Sequence, residues 1–131
     1  MKTTNETLTP AELAQNLRQF TGTEQWYRHP LFRRYLYTDG VQYLAGNAGA
    51  YWLLDMIFGF QYEIAKVRKT PFQVWELKVN EDQTALLTCT DGNYNAVHKH
   101  ELTYTDFPLR EISLWLGNSG EYDVLYLPSE H

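Results

Sequence analysis

Apolar and polar positions follow two different periods along this chain, and the change from one to the other falls at Pro71. Before it the spacing is helical. Thr9, Pro10 and Glu12 read as the cap, first helical position and closing acid of a T-x-x-E capping box. Leu8 and Leu13 stand where a hydrophobic staple forms, Leu13, Leu17 and Phe20 follow one face, and Gly22 offers a stop. Residues 1–7 are polar and are expected to be loose. Pro30 interrupts the stretch from Glu24 to Tyr37, which predicts two short extended pieces, or one strand and an irregular turn.

Asp39 with Gln42 predicts a second cap, opening a short helix from Gly40 to Ala45. After Gly46 and Asn47 a longer helix is predicted from Ala48 to Lys66, apolar almost all round. Such helices are buried on most sides, so this one is expected to be the core element, with Trp52, Leu54, Ile57 and Phe58 inside. Lys66, Arg68 and Lys69 suit the negative end of its dipole.

Beyond Pro71 the period is two. Trp75, Leu77 and Val79 alternate with Glu76 and Lys78, and further strands are predicted at 85–90, 96–104, 112–116 and 124–127. Short turns join them, Asp91-Gly92-Asn93 and Gly117-Asn118-Ser119-Gly120 among them. Helices first and consecutive strands after them predict the α+β class: N-terminal helices packed on a mostly antiparallel C-terminal β-meander. Neither a repeat nor a long linker divides the chain, so residues 1–131 are expected to form one domain.

Five stretches, FTGTEQWYRHPL (20–31), YTDGVQYLAGNAGAYWLLD (37–55), TCTDGN (88–93), YTDFPL (104–109) and LYLPSEH (125–131), carry a resemblance. They resemble a family of small bacterial and phage-encoded proteins classed as a domain of unknown function. The likeness runs from Phe20 to the C-terminus. It implies a single intact domain and brings no catalytic or binding residues with it.

Charge and composition narrow the function classes. The net charge is −5, which disfavours a nucleic-acid binder working by phosphate neutralisation, although Arg28, His29, Arg33 and Arg34 with Trp26, Tyr27 and Tyr35 form one basic-aromatic stretch. Its aromatics are expected to fill the core and its arginines to pair with acids. Cys89 is the single cysteine, so no internal disulfide forms, and an inert buried thiol in a reducing compartment is the expectation. MKTTNETLTP has no apolar run of the signal-peptide kind, and Asp55 ends the uncharged stretch from Val41 to Leu54. A cytoplasmic protein without a membrane span is expected. Four Trp, ten Tyr and six Phe exceed what one small core readily absorbs, so the expected partner is another protein or a second copy, as a homodimer. The last strand, with Tyr126 and Leu127, is the expected sheet edge for such contact.

Candidate chemistry centres on Asp55, the one charge between Gly40 and Tyr62. Helical spacing sets Ala48, Trp52, Asp55, Gly59 and Tyr62 on one face, with Gly59 leaving a notch one turn beyond the acid. A buried carboxylate needs a partner, and Arg28 or His29 is the expected one. The ligand-binding candidates are therefore Asp55, Trp52, Tyr62, Arg28 and His29, set against the plainer reading of a core ion pair. His98 and His100 share a strand face and are the metal candidates, with Cys89, Asp91 or Glu76 as third ligand. Two histidines on a polar sheet face is the preferred reading, and no cofactor or metal is expected. There is no P-loop, no G-x-G-x-x-G and no G-x-S-x-G elbow. The leading function is a non-enzymatic binding or protein-interaction module. The alternative is a small hydrolase using Asp55 with His29, or a metal held by His98 and His100.

Overall fold

The computed structural model describes residues 8–118 and 121–131. The expectation that residues 1–7 are loose, and the Ser119-Gly120 part of the last turn, lie outside the described residues.

Helix α1 (Pro10–Leu17) begins as its sequence dictates. Thr9 Oγ1 accepts from Glu12 N at 3.1 Å while Glu12 Oε1 accepts from Thr9 N at 2.9 Å. It ends at Leu17, five residues short of Gly22, and buries Leu13 and Leu17. Strands β1 (Trp26–Arg28) and β2 (Tyr35–Thr38) are the two extended pieces flanking the Pro30 turn.

The central helical stretch is divided differently from the sequence expectation. Helix α2 (Asp39–Ala48) is capped by Thr38, whose hydroxyl accepts from Val41 N, and not by Asp39. Asp39 instead accepts from the backbone N–H groups of Glu24 and Gln25, holding the chain before β1. Gly49, at φ 61°, ends α2 in the left-handed region that a side chain disfavours. Helix α3 (Tyr51–Glu63) follows, and extended Ile64 separates it from the short α4 (Ala65–Arg68). The single helix expected from Ala48 to Lys66 is thus two, α3 and α4, while Ala48 itself ends α2. The Arg68 guanidinium does cap α3, donating to Gln61 O and Tyr62 O. Helix α3 buries Leu53, Leu54, Ile57, Phe58 and Phe60, but Tyr51, Asp55, Tyr62 and Glu63 are exposed. Trp52 is only partly buried.

Strands β3 (Gln73–Val79), β4 (Ala85–Thr90), β5 (Ala96–Leu102), β6 (Glu111–Asn118) and β7 (Asp123–Tyr126) lie where the alternation puts them. With β1 and β2 they form one mostly antiparallel sheet, in the order β1-β2-β7-β6-β3-β4-β5, so the fold is α+β. A plain C-terminal meander is not what forms. Strand β6 returns to the far side of β3, and β2 adds to β7 in parallel, pairing Tyr35 with Asp123 and Tyr37 with Leu125. Nor do the helices all precede the strands, since β1 and β2 come between α1 and α2. Strand β7 is interior, so Tyr126 and Leu127 do not offer the expected edge; β1 and β5 are the edges. Inward residues Trp75, Leu77, Leu87, Leu114 and Leu116 face the helices, with Phe60 stacked on Trp75 at 5.8 Å. Among the described residues no helix is long and apolar enough to cross a membrane.

Candidate functional site

The turn between β1 and β2 folds back on one imidazole. His29 N donates to Tyr35 O at 3.0 Å and Tyr35 N donates to Phe32 O at 3.0 Å, closing the loop around Pro30. Inside it, His29 Nδ1 accepts from the backbone N–H groups of Leu31 (3.1 Å) and Phe32 (3.0 Å). A nitrogen that accepts two N–H bonds presents its lone pair, so the network assigns the ring proton to Nε2. That proton is given to Asp55 Oδ1 at 2.6 Å. The ring is further held by Phe32, tilted at 5.0 Å, and by the edge contact with Phe58 at 5.5 Å. Both ring nitrogens are therefore engaged by the protein itself.

This pair settles on the surface of a groove of about 890 Å³ between the turn and α3. Leu31 and Phe32 form one wall. Trp52, Asp55, Met56, Gly59 and Glu63, spread over about three turns of α3, form the other, with Tyr37, Tyr51, Phe60 and His100 completing it. Gly59 supplies room: a Cβ there would meet only Phe32 Cζ, at 4.0 Å. Large apolar groups are exposed here, Leu31 at 74% and Tyr51 at 44%. Among the described residues two carboxylates, Asp55 and Glu63, line the groove and no Lys or Arg does. Asp55 Oδ2 has no hydrogen-bond partner among the described residues.

Asp55 is paired with His29, one of its two expected partners, but burial is reversed. The Asp55 side chain is 62% exposed and that of His29 is 8% exposed. The helix is apolar in composition, yet its Asp55 face looks into the groove rather than the core. Arg28 is not at Asp55. Its guanidinium lies over the Tyr122 ring at 4.7 Å and donates to Arg33 O at 2.6 Å. Tyr62 stacks on Phe32 at 5.2 Å behind the wall and does not line the groove. Glu63, Met56 and Tyr37 were not singled out by the sequence reading, and His100 was named there only as a metal candidate. Glu63 was within reach of it, since Asp55, Gly59 and Glu63 continue one i, i+4 row.

His98 and His100 are not on a polar sheet face. Both rings pack on Phe60, at 4.6 and 5.4 Å, where the edge strand β5 meets α3. His98 Nε2 is buried without a hydrogen-bond partner among the described residues. Burial, and His100 beside it, lower the His98 pKa and so favour the neutral ring. Among the described residues no three His, Cys, Asp or Glu side chains gather as a metal-ligand set. Cys89, opposite His98 in the sheet, is buried, and burial pushes its thiol up to about 12.

No curated protein and no solved structure matches the chain. The model of one family, described as a family of unknown function, matches residues 11–131.

Proposed function

Since the chain belongs to DUF6876, a family of unknown function, we propose from its own geometry that it is a non-enzymatic binding module. Its site is the groove between α3 and the His29–Phe32 turn, and its occupant is an apolar segment of a partner protein bearing a Lys or Arg. The observation that carries this reading is the pairing of exposed aromatic and apolar walls with two carboxylates and, among the described residues, no Lys or Arg. Contiguous exposed apolar surface marks contact sites, and aromatic faces beside carboxylates suit an alkylammonium or guanidinium group. Asp55 is the anchor, its free oxygen turned outward, and Trp52 the aromatic platform. Its lone, buried cysteine suits a reducing cytoplasm.

A hydrolase using Asp55 with His29 has less support. A general base must present a lone pair to the substrate, and the His29 lone pair is spent on two backbone N–H groups.

The test is a backbone-amide NMR titration with a leucine-arginine-leucine peptide amide and its norleucine counterpart. Shifts concentrated on Leu31, Asp55 and Gly59, weaker with the norleucine peptide and lost in the Asp55→Asn/Glu63→Gln variant, support the reading. Equal shifts from both peptides, or none at millimolar concentration, defeat it. A second copy of the chain is the competing occupant. Light scattering at twice 15.4 kDa, reverting to 15.4 kDa in Leu31→Glu, would place a homodimer on the groove instead.

A further inference from the structure

Acids outnumber bases in this chain by sixteen to eleven. Yet a separate cleft of about 380 Å³, near the end of α3, is lined by three of those bases, Arg34, Arg68 and Lys69, against one acid, Asp123. Three distant stretches meet there. The parallel register of Tyr35 with Asp123 brings the residue before β2 and the first residue of β7 together. The break at Ile64 then turns α4 so that Arg68 reaches back over the last carbonyls of α3.

Only part of this positive charge is used within the protein. Arg34 Nε donates to Asp123 Oδ2 at 3.2 Å, and Asp123 Oδ1 also accepts from Asn118 Nδ2 at 2.7 Å. Arg68 Nη1 serves Gln61 O at 3.1 Å and Tyr62 O at 3.2 Å. The Lys69 ammonium has no hydrogen-bond or ion-pair partner among the described residues. A guanidinium carries five donors, so both arginines keep edges to spare.

The floor of the cleft is neutral and rigid. Gln61 and Gln73 are both buried and exchange two hydrogen bonds, Gln61 Nε2 to Gln73 Oε1 at 2.8 Å and Gln73 Nε2 to Gln61 Oε1 at 2.9 Å. Gln73 Oε1 also takes the Trp75 indole N–H, and Gln73 Nε2 reaches Val67 O and Thr70 O. Among the described residues no carboxylate rises from that floor to neutralise the rim. Arg34 and Arg68 also act on one buried hydroxyl, that of Tyr35, where they oppose burial and Asp123.

We propose that this cleft is a binding site for a phosphate group carried on a small organic molecule. Two guanidiniums offer forked donors that match phosphate oxygens, and Lys69 adds a point charge between α4 and β3. The volume lies in the range of small-molecule sites, roughly 300–1,000 Å³, which leaves room beyond the phosphate itself. This inference does not rest on the peptide groove.

The experiment titrates the intact chain with glycerol phosphate, adenosine 5′-monophosphate and inorganic phosphate, each by calorimetry at constant ionic strength set with chloride. Binding of the two monoesters is expected, with inorganic phosphate weaker. Lys69→Gln, which removes no hydrogen bond or ion pair among the described residues, is expected to weaken binding about tenfold, in keeping with one charged hydrogen bond, while Lys69→Arg retains it. Thermal melts of each variant without ligand confirm the fold. Inorganic phosphate binding as tightly as both esters would reassign the site to the free ion. No binding by any of the three at 10 mM, or equal affinity in Lys69→Gln, would overturn the proposal.

Discussion

His29 gives its Nε2 proton to Asp55 Oδ1 across 2.6 Å, with the ring buried and the carboxylate exposed. The two partners therefore carry different kinds of consequence. Replacing Asp55 with Asn keeps an oxygen acceptor for the ring proton, and a bond to so exposed a carboxylate contributes about 1 kcal/mol or less. Urea unfolding of Asp55→Asn is expected to match wild type within that margin, while the arginine peptide no longer binds. A loss above about 2 kcal/mol would return Asp55 to a purely structural role.

His29→Ala has the opposite signature. It strands the N–H groups of Leu31 and Phe32 in a part-buried turn, at roughly 1–3 kcal/mol for each unmet donor. A destabilisation of about 2–4 kcal/mol is expected from denaturant midpoints. An unchanged midpoint would show that the turn holds without its imidazole.

Leu54 has no exposed surface and sits in the core facing of α3. Leu54→Ala removes three heavy atoms from close packing, which costs about 2–5 kcal/mol in comparable cores. Equilibrium urea unfolding reads this directly, and a loss below about 1 kcal/mol would place the core elsewhere.

Thr38, Gly40 and Leu127 are clamped by one carboxylate. Glu130 Oε1 accepts from the Thr38 hydroxyl at 2.6 Å and from Leu127 N at 2.9 Å, and Oε2 accepts from Gly40 N at 3.0 Å. A Cβ on Gly40 would stand 2.6 Å from Leu127 Cδ1 and 2.7 Å from Glu130 Oε1. Gly40→Ala is expected to break the clamp and cost about 1–3 kcal/mol, as overpacking does. In the Gly40→Ala/Glu130→Gln double variant the losses should be clearly less than additive. Full additivity would mean that the two residues act apart.

Stability should also fall at alkaline pH. Burial pushes the Cys89 thiol up to about 12, with Asp91 adding to it, whereas an unfolded thiol ionises near roughly 8.5. A group raised in the folded state leaves stability intact below its unfolded value and loses it as pH climbs toward the folded one. Tyr35, also pushed up to about 12, chiefly by burial, joins above roughly pH 10. Urea midpoints are expected to be level to about pH 8 and then to decline, with Cys89→Ala removing the slope between about 8.5 and 10. A slope unaltered in Cys89→Ala would assign it to other groups.

What the sequence determined by itself was the local part. The Thr9–Glu12 box, the break at Pro30, the change of period after Pro71 and the strands from β3 to β7 all arise from neighbours within a few positions. So did the i, i+4 row through Asp55 and Gly59 that became one wall of the groove. Tertiary structure decided the rest, because the deciding contacts join residues far apart and leave no periodic trace. The parallel addition of β2 to β7 moved the last strand from edge to interior. The turn at His29 buried the ring and left Asp55 outside, although composition alone made α3 look enclosed. An amphipathic period tells which residues share a face; it cannot tell whether that face meets a sheet, a groove or water. That choice is made by pairings across the chain, 26 residues apart for His29 and Asp55 and 92 for Thr38 and Glu130.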